Sequence, residues 1–171
     1  MNELSGTLAA TLVSLTQAAI LCAGVVDDLR SRKFHNWLFL TCCGVALVVV
    51  LIAQGWTALY LSALGFGAGI VVLLPLVLLK MVGAGDMKLM AAFGIVAGWN
   101  TVVDVAILAL VWGAIFGVVR IVIDGQLKVL ASNMMSIVTM KKQEGIQLHQ
   151  IPYSVALFVG WLSHLVYQGL I

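Results

Sequence analysis

The sequence predicts an all-α, polytopic membrane protein with about six transmembrane helices, and three observations predict it. Of its 171 residues, 63% are hydrophobic and only 9% are charged, whereas a soluble domain carries roughly 25% charged residues. Apolar runs near the roughly 20 residues needed to cross a hydrocarbon core recur along the chain. The basic residues fall in alternate connections, as the positive-inside bias requires of a multi-pass chain.

The runs are, in order, about Leu8 to Val26, Trp37 to Ala53, Ala58 to Leu79, Met87 to Trp99, Val102 to Ile123 and Val155 to Ile171. Lipid offers no partner to an open backbone, so each is expected to be helical. The fourth is too short for a core about 30 Å thick at about 1.5 Å per residue. It is read as a short helix in its own right, because fusing it to the fifth would put Lys88 and Arg120 on opposite faces of the membrane. With six crossings, Arg30, Arg32, Lys33, Lys80, Lys88, Arg120, Lys128, Lys141 and Lys142 all lie on one side. That side is expected to be cytoplasmic and both termini to be outside, with Trp56 and Trp99 at the outer interface. A cleaved leader needs a basic amino terminus, and Met1 to Ser5 offers only Glu3, so the first run is expected to stay.

One transmembrane domain, 1–171, accounts for the whole chain. Its one long polar excursion, at about 126–150, places Leu127, Leu130, Met134, Ile137 and Val138 at helical spacing among lysines, serine and asparagine. That pattern predicts an amphipathic helix on the cytoplasmic leaflet, with membrane lipids as its partner. Gly65 with Gly69, Gly94 with Gly98, and Gly113 with Gly117 form GxxxG pairs that let helices approach closely in lipid. Cys22, Cys42 and Cys43 lie in apolar runs and form no CxxC pair, which makes them packing residues. A formal charge of +2 gives no footprint for nucleic acid. His35, His149 and His164 have no metal-ligand spacing, so neither a metal nor a cofactor is expected.

Against this background, "KMVGAGDMKLM" (Lys80 to Met90) is the anomaly. The topology puts Asp86 at the cytoplasmic boundary, at the depth where Asp27 and Asp28 end the first run. Ionisable groups there are costly and are functional candidates. Gly83 and Gly85 clear side chains from beside Asp86 and open unusual backbone geometry. The residues alone leave two readings of equal weight. Asp28 could be an ordinary interfacial ion partner among Arg30, Arg32 and Lys33, and Asp86 a helix cap, or they could be two carboxylates sharing a proton for general acid–base work on an amide. Asp104 and Asp124, each alone at a helix end, read as structural.

"GAGDMKL" (Gly83 to Leu89) resembles the GxGDxKL signature of the type IV prepilin peptidases, and "DLRSRKFHN" (Asp28 to Asn36) is similar to that family's first motif. "IPYSVAL" (Ile151 to Leu157) resembles the start of its last helix. The resemblance implies a GxGD-type intramembrane aspartyl protease fold in a bacterial inner membrane. It implies Asp28 and Asp86 as the catalytic pair, with Gly83, Gly85, Lys88, Asn36 and Arg30 as motif residues and Asp27 a bystander. The implied substrate is a prepilin or pseudopilin precursor, cut after a glycine at the cytoplasmic face. Phe34 and His35 stand where the family usually has Ile and Pro. The chain lacks the amino-terminal CxxC-bearing insertion of larger members, as in the peptidase-only kind of Tad or Flp pilus systems. A proton-coupled transporter or a structural membrane subunit are the alternatives in other classes.

Overall fold

A computed structural model describes residues 2–31, 35–123 and 153–169. Every regular element among them is helical: α1 (Asn2–Ser31), α2 (Asn36–Gln54), a 3₁₀ turn (Trp56–Ala58), α3 (Leu59–Leu78), α4 (Ala84–Ile123) and α5 (Tyr153–Tyr167). Four stretches are long and apolar enough to cross a membrane, Gly6–Arg30, Asn36–Gln54, Trp56–Leu78 and Ala84–Arg120, while Tyr153–Tyr167 is apolar but shorter. By length and hydropathy, then, four spans are found rather than the expected six. The amphipathic helix expected at about 126–150 lies outside the described residues.

The α4 segment decides how those numbers relate. A straight helix of 40 residues would run about 60 Å, twice the hydrocarbon core. Gly98 interrupts it with φ 78° and ψ 166°, which are not helical. In a continuous helix Gly94 and Val102 would stand about 12 Å apart. Instead, a Cβ built on Gly94 would lie 3.1 Å from Val102 Cγ2. The chain therefore folds back at Gly98 into two antiparallel limbs, 84–97 and 99–123. Glycine is required at the bend because a side chain is strained at that positive φ.

The first limb is the axis of the bundle. Leu89 through Val96 are all buried, enclosed by contacts from α1, α2, α3 and the second limb. At roughly 21 Å it is shorter than the bilayer core. Because protein rather than lipid surrounds it, its length need not match the membrane. Gly65 and Gly94 meet backbone to backbone, and a Cβ on Gly69 would stand 2.6 Å from the Met90 carbonyl oxygen, so α3 lies directly on this limb. The small-residue reading thus holds for Gly65, Gly69 and Gly94. Gly98 serves both roles, since it forms the bend and its Cα would stand 3.1 Å from a Cβ on Gly65, while the reading fails for Gly117, where nothing lies within 4 Å. The bundle's outer surface is apolar, with Ile52 74%, Leu78 72% and Ile123 72% exposed; these side chains need lipid, not water.

The two ends of the bundle differ. One gathers Ser14, Gln17, Gln54, Thr101, His164 and Gln168 around a cleft of about 330 Å³. There the Trp161 Nε1–H donates to Gln17 Oε1 at 2.9 Å, and His164 Nδ1 lies 3.7 Å from Asp104 Oδ2. Asp27, Asp28 and Asp86 occupy the other end, with Arg30, Lys80, Lys88 and Arg120, by the alternation of the helices. Lys80 closes α3 there: Lys80 N–H reaches Val77 O at 3.0 Å and Met81 N–H reaches Leu76 O at 2.9 Å. That is the bond pattern of a Schellman cap, with Lys80 at φ 58° in the position that favours glycine.

Candidate active site

Helix α1 carries Gly24 and, one turn on, Asp28 on the same face. The first limb of α4 carries Leu89 and, one turn back, Asp86. A Cβ on Gly24 would overlap the Leu89 side chain, so α1 seats on the limb at that point. The two segments are antiparallel, and one further turn toward the same end brings Asp28 to Asp86. Their charges act on one another, and Asp86 is largely enclosed by protein. The geometry thus brings together the two carboxylates that the sequence singled out.

The local sequence keeps room for Asp86. Its N–H donates to the Gly83 carbonyl at 3.1 Å, which starts the helix. A Cβ at Gly83 would lie 3.2 Å from Asp86 Oδ2, tight enough to push the carboxylate. Neither Gly83 nor Gly85 has a positive φ, so the expected unusual backbone geometry is absent and Gly83 serves by leaving space. Lys88 Nζ donates to Asn36 Oδ1 at 2.7 Å, tying the first limb of α4 to the start of α2. Arg30 is exposed in the last turn of α1 and makes no ion pair with either carboxylate among the described residues.

Asp27 is not idle. His35 N–H donates to Asp27 Oδ2 at 2.9 Å, and His35 Nδ1 lies 2.9 Å from Asp27 Oδ1. The clasp joins the end of α1 to the start of α2 and engages both oxygens of Asp27. His35 has φ −71° and ψ 138°, values a proline could adopt. A proline could not donate the N–H that holds Asp27, so histidine here keeps the turn and adds a bond.

Two residues were missed in the sequence. Ser154, only 1% exposed, donates from Oγ to Asp28 Oδ2 at 2.7 Å and so anchors one oxygen of that carboxylate from α5. Tyr153 precedes it, within reach of the Asp86 charge. The available signal was a polar pair opening an apolar helix at the end of the bundle that holds both aspartates. Among the described residues no group of three His, Cys, Asp or Glu could hold a metal ion. The arrangement is two carboxylates, one hydroxyl-anchored and one enclosed, at the end of a lipid-facing bundle, which suits proton exchange with a water and an amide.

No curated protein and no solved structure matched the chain. Residues 15–118 match the type IV leader peptidase family, a stretch that takes in Asp28, Gly24, Asn36, Asp86 and Lys88 and ends before α5. The match covers more than half of the sequence, and with both carboxylates inside it the chain belongs to the type IV leader peptidase family, a family of proteases.

Proposed function

We propose that the chain is an intramembrane aspartyl endopeptidase. It removes the short leader of prepilin-like precursors at the cytoplasmic face of the membrane, after a glycine, with Asp28 and Asp86 as the catalytic pair. The observation that carries the reading is the seating of Gly24 on Leu89, from which Asp28 and Asp86 each lie one turn away toward the same end of the bundle. The fold-back at Gly98 supports six crossings, because it divides the 40-residue helix into two limbs. With six crossings the basic residues share one side, which the positive-inside bias makes cytoplasmic.

The chemistry needs both carboxylates. The ionised one takes a proton from a water as the water oxygen attacks the scissile carbonyl carbon, and the protonated one gives its proton to the carbonyl oxygen. In the resulting gem-diol a hydroxyl proton returns to the second carboxylate. The first delivers its proton to the amide nitrogen, the C–N bond breaks, and an acid and an amine leave with one water consumed. A site at the membrane boundary suits a substrate whose polar leader runs straight into an apolar helix, since helical carbonyls are already bonded and the junction is open. Among the described residues the interior between the two ends is filled by Leu21, Phe93, Val102, Val105 and Ala109, which argues against a polar route for proton-coupled transport.

The test is cleavage of a prepilin-like precursor by the purified chain in proteoliposomes, read by mass spectrometry. Wild type should release the leader, and D28N and D86N should each abolish release while inserting normally. Activity surviving in either variant would remove the pair from the mechanism.

A further inference from the structure

Tyr153 opens α5, and its ring packs with Cε2 3.5 Å from where a Cβ of Gly113 would stand. Its hydroxyl oxygen is buried and has no hydrogen-bond partner, and it is the one such side-chain atom among the described residues. Buried phenols nearly always find a partner, because leaving a polar group dry forfeits its hydration with nothing in return. The hydroxyl is also not remote from the chemistry. The next residue, Ser154, bonds Asp28, and the charge of Asp86 reaches the tyrosine. The first turn of α5 therefore carries one hydroxyl in use on Asp28 and, on the residue before it, a second that is buried and unspent.

We propose that the Tyr153 hydroxyl is a catalytic residue that donates a hydrogen bond to the scissile carbonyl oxygen of the substrate as the tetrahedral intermediate forms. The inference rests on the peptidase reading above and adds a third group to it. As water attacks, negative charge develops on that oxygen, and the ionised carboxylate opposes it. A neutral, fixed O–H donor stabilises the charge without adding an ion at membrane depth. Its hydrogen stays on the phenol throughout, so the proton balance between the two carboxylates is unchanged. An unpartnered donor at rest suits this role, because no bond has to be broken before it meets the substrate.

Tyr153→Phe separates this role from a structural one, because it removes only an oxygen that holds nothing in the fold. In proteoliposomes with a prepilin-like precursor, Y153F should lower kcat about 100-fold, the typical loss of one such donor, and leave KM within about twofold. Its melting temperature should equal or exceed that of wild type, since an unsatisfied polar atom is gone. A wild-type kcat in Y153F, with D86N inactive beside it, would overturn the inference and leave the peptidase reading standing. A kcat loss accompanied by a lower melting temperature would also overturn it, by showing that the hydroxyl supports the fold. If wild type itself released no leader, the peptidase reading would fall first and this inference with it.

Discussion

Gly24 is the residue through which packing controls chemistry, and enlarging it should inactivate the protein without touching either aspartate. In Gly24→Val the new Cβ would stand 2.6 Å from Leu89 Cδ1 and nearer still to Cδ2. Carbon atoms in ordinary contact are about 3.5–4.0 Å apart, so the surfaces must part by roughly 1 Å or more. Leu89 is 1% exposed, which leaves it little space to swing aside, and valine's two γ-carbons add to the excess. Because Asp28 and Asp86 lie one turn beyond this contact, the same displacement opens the gap between them. A misplacement of about 1 Å costs on the order of 100-fold in rate, or about 2.7 kcal/mol of barrier. Overpacking should also cost about 1–3 kcal/mol of stability. The assay is leader release in proteoliposomes under saturating precursor. The decisive arm is the double variant G24V/L89A, in which the shortened partner makes room and most of the rate returns. Full activity in G24V, or no recovery in the double variant when both melt alike, would refute the argument that this contact sets the distance between the carboxylates.

Other outcomes follow from the same geometry. S154A removes the hydroxyl that anchors Asp28 and should lower kcat tenfold to 100-fold, as expected for a hydrogen bond to a charged group of about 1.5–3 kcal/mol, with KM little changed; S154T, which keeps the hydroxyl, should recover most of it. D27N should keep near-normal cleavage, and weakening its contact with the half-exposed His35 should itself cost no more than about 1 kcal/mol; loss of activity there would move the catalytic position by one residue. K80G should raise the melting temperature, since it relieves a left-handed non-glycine residue at a cost of roughly 1–2 kcal/mol. A lower melting temperature in K80G would mean that the lysine side chain contributes more than its backbone costs.

Much of this protein is set by composition and charge placement alone. A chain with 63% hydrophobic residues and basic residues in alternate connections has to be a helical membrane bundle. The same alternation carries Asp28 and Asp86 to one end, because each crossing reverses the direction of the chain. Local pattern settles these points, and local pattern is what a sequence displays. The tertiary structure decided the rest. Gly98 reads as half of a packing motif and is also the bend, a role that only its backbone conformation reveals. Ser154 meets Asp28 across a separation of 126 residues and Lys88 meets Asn36 across 52. Such contacts leave no periodicity along the chain. Asp27 and Asp28 are neighbours of the same type, yet one faces His35 and the other Ser154. A helix turns about 100° per residue, so only the packing around α1 could decide which of the two Ser154 would hold.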